Sequence, residues 1–73
     1  MNEREEKMSY SVFQEETELG IEYGIICRED GCPYMAIDKI SPDRDFVSKM
    51  AEKFNEMQLS PGQFLDGVED ELL

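Results

Sequence analysis

The residues of this chain that could do chemistry are two cysteines and a large number of carboxylates. Cys27 and Cys32 have four residues between them. A structural zinc site needs four ligands, and the chain offers two thiols and no histidine. The spacing also differs from the C-x-x-C pattern of thioredoxin-type redox sites. We therefore expect two free thiols in a reducing compartment, with a cross-strand disulfide or redox switch as the alternative.

The carboxylates do not form a pattern typical of an active site or a metal site. With no histidine, the chain lacks the commonest acid–base group near neutral pH, and a nucleophilic cysteine would have no imidazole to activate it. The acidic segment from Asp66 to Glu71 lacks the alternating ligands of a calcium-binding EF-hand loop. A chain of 73 residues also leaves little room for a deep pocket. We predict no catalytic activity, no cofactor and no dedicated metal site.

The charge and hydropathy of the chain exclude two further classes of protein. The chain has 18 acidic and 7 basic residues and a net charge of −11, which repels phosphate, so direct binding to nucleic acid is not expected. Its apolar runs, such as Ile25-Ile26-Cys27, are far short of the ~20 residues of a transmembrane helix. The opening residues do not resemble a signal peptide. We predict a cytoplasmic protein that has no contact with a membrane.

The chain is long enough for one domain, and its N-terminal half alternates apolar and polar residues as strands do. We predict a flexible acidic N-terminus at residues 1–7 and a single domain at residues 8–73. A first strand runs from Met8 to Gln14, a polar turn follows at residues 15–18, and a second strand runs from about Leu19 to Arg28. The predicted core face of the second strand carries Ile21, Tyr23, Ile25 and Cys27.

The strongest turn signal in the sequence is Glu29-Asp30-Gly31, because Gly31 can adopt the positive φ that closes a hairpin. A third strand is predicted from Tyr34 to Ile40. Pro33 has no N–H for a strand ladder, so it belongs at the start of this strand or on a sheet edge.

The register of the third strand stays open at this point. A two- or four-residue hairpin loop places one set of side chains on the core face, and a three-residue loop places a different set there. Only the four-residue loop sets Cys27 directly opposite Cys32, so a disulfide would imply that register. The first set is Tyr34, Ala36 and Ile40, and the second is Met35 and Ile37.

From Ser41 onward the apolar spacing changes to that of helices. Ser41 is a favourable N-cap, and Pro42 suits the first helical position. Ser60 and Gln63 form a capping-box pattern that predicts the start of a second helix, which Gly67 weakens by about 1 kcal/mol relative to alanine. The predicted apolar stripes are Phe46, Val47, Met50, Ala51, Phe54 and Met57 in the first helix and Phe64, Leu65, Val68 and Leu72 in the second.

Together these elements predict an α+β fold, in which a three-stranded antiparallel β-meander packs against two C-terminal helices in the order β-β-β-α-α. The helices are needed on one face because so small a sheet has too little core of its own. The predicted core brings together Phe46, Met50, Phe54, Phe64, Leu65 and Val68 of the helices and Ile21, Tyr23 and Ile25 of the second strand.

Three segments mark the second half of the sequence: Ile40-Ser41-Pro42-Asp43, then Leu59-Ser60-Pro61, and last the acidic Val68-Glu69-Asp70 region. In these segments the chain resembles a family of short bacterial proteins of unknown function, and the resemblance covers roughly residues 8–73. It implies an N-terminal β-meander followed by two helices. The family supplies no catalytic residue, cofactor or substrate.

With catalysis, metals and nucleic acids set aside, recognition of another protein is the function that remains. Residues 61–73 carry a net charge of −4 and no basic residue, although acids near a helix C-terminus oppose the helix dipole. We therefore predict a small acidic protein that binds a partner protein, in a regulatory role, with Asp66, Glu69 and Asp70 as candidate binding residues. One alternative is a nucleic-acid mimic that inhibits a basic DNA- or RNA-binding protein. The other is a structural protein that associates with itself. The sequence leaves the oligomeric state open between a monomer and a weak homodimer.

Overall fold

The computed structural model describes residues 7–72 and confirms the α+β fold. One antiparallel sheet with the strand order β1-β2-β3 is followed by two helices. The predicted flexible N-terminus at residues 1–7 lies outside the described residues except for Lys7, whose backbone exchanges hydrogen bonds with Asp30. The elements are β1 Met8–Thr17, β2 Gly20–Glu29, β3 Cys32–Ser41, α1 Arg44–Met57, a 3-10 turn Pro61–Gln63 and α2 Phe64–Leu72.

The first hairpin is longer than the sequence predicted, and the predicted turn at residues 15–18 is wrong. The strands pair without interruption to Thr17 and Gly20, and the loop is Glu18 and Leu19 alone. The Thr17 hydroxyl donates to the carbonyl of Gly20 at 2.9 Å and accepts from the Leu19 N–H at 3.1 Å. Gly20 supplies the positive φ of 120°. These local bonds close the turn at Thr17, so the preceding glutamates remain in the strand.

The second hairpin has the predicted turn and a two-residue loop. Asp30 and Gly31 have φ values of 53° and 84°, which is the conformation of a type I′ turn. Glu29 pairs with Cys32, so Cys27 does not lie opposite Cys32. Both thiols are free, with Cys27 buried and Cys32 exposed.

Two bulges then change the register of β3 along its length. The first inserts Tyr34, which sets Met35 opposite Cys27 and Ile37 opposite Ile25. A two-residue loop was predicted to place Tyr34 and Ala36 on the core face. Because of the bulge, Met35 and Ile37 take these positions instead. The second bulge includes Lys39 at a φ of 53° and returns Ile40 to the core.

The first helix begins later than the sequence predicted. Ser41 is the last residue of β3, where it pairs with Tyr23, and the N-cap of α1 is Asp43. The Asp43 carboxylate accepts from the N–H groups of Asp45 and Phe46 at 3.1 and 3.3 Å. Burial of Ile40 in the sheet extends the strand by one residue, and this shift removes Ser41 from the cap.

The second helix also starts differently. Ser60 precedes the 3-10 turn, but its side chain makes no capping bond to the backbone, so the predicted capping box does not form. Its hydroxyl donates instead to the side-chain oxygen of Gln63 at 3.4 Å. Gln63 donates its N–H to the Ser60 carbonyl at 2.9 Å, which gives the turn its tighter winding before α2 begins at Phe64.

The core is centred on three aromatic rings from β1, α1 and α2. Tyr10 contacts Phe54 and Phe64 edge to face, with ring centroids 5.6 and 5.2 Å apart, and the two phenylalanines contact each other at 6.1 Å. The Tyr10 hydroxyl donates to the carbonyl of Leu59 in the link between the helices. Burial, together with a hydrogen bond and a charge interaction with Cys27, raises the pKa of the Tyr10 phenol above its ordinary value.

Some residues predicted for the core are exposed. Ile21 is 43% exposed because the far end of the first hairpin extends beyond the helices; ten-residue strands are about 33 Å long and α1 only about 21 Å. Leu65 and Met57 are 48% and 55% exposed. The buried apolar side chains are Met8, Tyr10, Ile25, Cys27, Ile40, Val47, Met50, Ala51, Phe54, Leu59, Phe64 and Val68.

Gly67 has a packing role that offsets its low helix propensity. A Cβ atom at this position would lie 3.1 Å from the side chain of Leu59 and 3.2 Å from the ring of Phe54. The absence of a side chain therefore lets α2 approach the core residues of α1 and the link closely.

Replacing Phe54 with alanine should lower the free energy of unfolding by about 3–5 kcal/mol, because the ring is buried between Tyr10 and Phe64. Chemical denaturation followed by circular dichroism measures this loss. The matched control is Met57→Ala in the last turn of the same helix, where the side chain is exposed and the change should be below about 1 kcal/mol. Equal losses for the two variants would contradict the core assignment.

The raised pKa of Tyr10 predicts a loss of stability at high pH. The phenol ionises near pH 10 in the unfolded chain but stays protonated in the fold, so its contribution is complete below pH 10 and declines as the pH rises. Denaturation midpoints measured from pH 8 to pH 11 should fall for the native chain and fall less for Tyr10→Phe. Tyr34→Phe, which alters an exposed tyrosine, should keep the native dependence.

Candidate protein-binding surface

All three acidic residues predicted as binding residues lie on the solvent side of α2. The helix buries Phe64 and Val68, and Asp66, Glu69 and Asp70 are exposed. Helical residues follow one another at about 100° around the axis, so Glu69 lies about 40° from Leu65. Asp66 and Asp70 lie about 100° and 140° from Leu65 in the same direction. The three acids form one face, and only Glu69 borders the exposed leucine.

An open apolar groove of about 680 Å³ lies beside this leucine, between β3 and the start of α2. Tyr34 and Leu65 are large apolar side chains that are 60% and 48% exposed. Exposed apolar side chains that cluster, rather than lying singly, are typical of surfaces that contact other molecules. The residues that line the groove are Tyr34, Met35, Ala36, Pro61, Gly62 and Leu65.

The first bulge of β3 explains why the groove is apolar on its strand side. In a regular strand Tyr34 and Met35 would point to opposite faces of the sheet. The bulge lies between the pairs Arg28↔Pro33 and Cys27↔Met35, and both side chains line the same groove. On the helix side, the 3-10 turn brings Pro61 and Gly62 to the surface next to Leu65.

The charge at the end of α2 is only partly neutralised. Lys53 of α1 contacts Glu71 at 2.5 Å, and this hydrogen bond, followed by the charge of Glu71, raises the pKa of Lys53. Residues 61–73 contain no basic residue, and Lys53 of α1 supplies the positive charge next to Glu71 instead. Among residues 7–72, Asp66, Glu69 and Asp70 form no ion pair. The face beside the groove consequently keeps a strong negative charge.

A second acidic surface lies at the far end of the first hairpin, away from the helices. It is a shallow depression of about 510 Å³ that is lined mainly by glutamates. Lys39 of β3 lies 3.8 Å from Glu15 in this region. Leu19 at the turn is almost fully exposed.

The two thiols differ in their exposure. Cys27 is buried beside the Tyr10 hydroxyl. Cys32 is exposed and follows directly after the two-residue loop, where it pairs with Glu29. No group of three or more cysteine and acidic side chains is placed to hold a metal ion within residues 7–72. None of the helices in that range is long and apolar enough to cross a membrane.

Comparison with known proteins identifies a family for the whole chain. A model described as a family of unknown function, DUF6514, matches residues 1–73. The chain belongs to this family. No curated protein and no solved structure matches the chain. Because DUF6514 has no assigned activity, the family name supplies no substrate, cofactor or partner, and it agrees with the sequence resemblance to a family of unknown function.

The sequence predicted the acidic face of this surface but not the groove. The spacing of Leu65 matches that of Phe64 and Val68 and predicts a core position, but Leu65 is exposed. Alternation alone does not reveal a bulge, so it places Tyr34 and Met35 in alternative registers. The one sequence signal for the groove is Pro61-Gly62, which shortens the start of α2 and leaves Leu65 at its edge.

Proposed function

We propose that this member of DUF6514 is a cytoplasmic protein without catalytic activity that binds a partner protein through the groove between β3 and α2. The observation that carries this proposal is the exposed apolar groove with Glu69, which forms no ion pair within residues 7–72, beside its Leu65. Tyr34 and Leu65 provide apolar contact area, and Glu69 lies one helical turn beyond Leu65. A partner segment that combines apolar residues with lysine or arginine would satisfy both features of this surface.

The apolar lining of the groove favours binding of a partner protein over mimicry of nucleic acid. A mimic would act by charge alone, and its binding would weaken steeply with salt and be displaced by DNA. Burial of apolar groups such as Tyr34 and Leu65 is largely insensitive to salt. A partner held in the groove should therefore be retained in part at salt concentrations that screen the acids of α2.

The test is affinity capture from native cytosol with the unmodified chain, Leu65→Glu and Met57→Glu as baits, with quantitative mass spectrometry of the eluates. Leu65→Glu places a charge in the groove, and Met57→Glu places the same charge on an exposed apolar residue of α1 outside it. Circular dichroism establishes that each bait is folded. We expect one stoichiometric partner with the native chain and Met57→Glu, reduced at least tenfold with Leu65→Glu.

A bait with neutralised acids separates the contribution of charge from that of apolar contact. Asp66→Asn, Glu69→Gln and Asp70→Asn together should lower retention at low salt and leave the high-salt fraction nearly unchanged. Equal capture by the native chain and Leu65→Glu would contradict the proposal. Complete loss of the partner on addition of duplex DNA would support the mimic instead.

A further inference from the structure

The two edges of the sheet differ in how they are protected. The β3 edge carries Pro33 and two bulges, features that discourage pairing with another strand. The β1 edge has neither a proline nor a bulge, and it pairs with β2 in one unbroken register from Met8 to Thr17. Long regular edge strands are the places where sheets add a further strand.

A single side chain closes one part of the β1 edge. Asn55 of α1 accepts from the Tyr10 N–H at 2.8 Å and donates through Nδ2 to the Tyr10 carbonyl at 2.8 Å. These are the two hydrogen bonds that a residue of a neighbouring strand would make. The amide of Asn55 therefore takes the place of a fourth strand at this position.

The same contact reveals which backbone groups of β1 face outward. The N–H and C=O of one residue in an antiparallel strand point to the same side, and the side alternates along the chain. Since both groups of Tyr10 point away from β2, those of Val12, Gln14 and Glu16 do so as well. Within residues 7–72, no other group forms a hydrogen bond with these outward groups.

The side chains at this open edge are apolar at one end and acidic at the other. Val12 and Phe13 are half-buried, and Glu15 and Glu16 follow them toward the turn. Lys39 is the one base beside them in the described part of the chain, and it lies 3.8 Å from Glu15. A second copy of the chain would bring its own glutamates and a further net charge of −11 to the edge, so charge disfavours a homodimer here.

We propose that the edge of β1 from Val12 to Thr17 binds an extended, cationic segment of a partner protein as a fourth strand. The backbone of the segment would pair with Val12, Gln14 and Glu16. Its lysine or arginine side chains would lie near Glu15 on one face of the sheet or near Glu16 on the other. Asn55 sets the limit of the site, because it already occupies Tyr10. This site lies on the opposite sheet edge from the groove and does not depend on the function proposed for the groove.

The test uses a blocked ten-residue peptide of alternating lysine and valine, titrated into the isotopically labelled chain and followed by amide NMR. We expect the amides of Val12, Gln14 and Glu16 to shift and to exchange with solvent at least tenfold more slowly, with no change at Tyr10. The same peptide N-methylated at every residue cannot donate a backbone hydrogen bond from either of its edges. Binding of both peptides with equal affinity would overturn strand addition.

Two variants complete the test. Glu15→Gln with Glu16→Gln leaves the backbone intact and should weaken the lysine peptide at least about threefold at low salt. Leu65→Glu, which alters the groove, should bind the peptide as the native chain does, so failure of one site is distinguishable from failure of the other. An unshifted edge in the native chain at millimolar peptide would overturn the proposal. A dimer that protects Val12, Gln14 and Glu16 without peptide would overturn the choice of a cationic partner.

Discussion

Tyr10 is the residue on which the arrangement of the sheet and both helices depends. Its ring packs against Phe54 of α1 and Phe64 of α2, and its hydroxyl donates to the carbonyl of Leu59 between them. Its backbone exchanges two hydrogen bonds with Asn55. The ring, the hydroxyl and the backbone of Tyr10 thus hold both helices against the end of the sheet where Tyr10 lies. No other element among residues 7–72 covers the far end of the first hairpin, which is why Ile21 is exposed.

The sequence predicted the elements because their signals are local. Alternation marked the strands, and Asp30-Gly31 marked the second hairpin, where the structure has the expected turn. The start of α1 was predicted wrongly because it depends on contacts between distant segments. Ser41 has the chemistry of an N-cap, but burial of Ile40 keeps it in β3. The low helix propensity of Gly67 is a local property, whereas no local pattern shows that Phe54 and Leu59 lie against its backbone.

The candidate binding surface also has one part that the sequence alone indicates and one part that only the folded structure reveals. The candidate binding residues Asp66, Glu69 and Asp70 can be identified from the sequence of α2 alone, and all three are exposed. The groove requires a bulge in β3 and a 3-10 turn before α2, and together they place Tyr34 beside Leu65. The two distinctive exposed features of the described residues, an apolar groove and an open strand edge, are the surfaces that we propose bind other chains.

Native-state hydrogen exchange of the β1 amides tests most directly the claim that Tyr10 and Asn55 close one end of this edge and leave the other open. The amide of Tyr10 should exchange slowly, and those of Val12, Gln14 and Glu16 should exchange rapidly, between slow neighbours that are bonded to β2. Replacing Asn55 with alanine should make the Tyr10 amide fast as well. Uniform protection along β1 in the isolated chain, or a fast Tyr10 amide beside Asn55, would contradict the account.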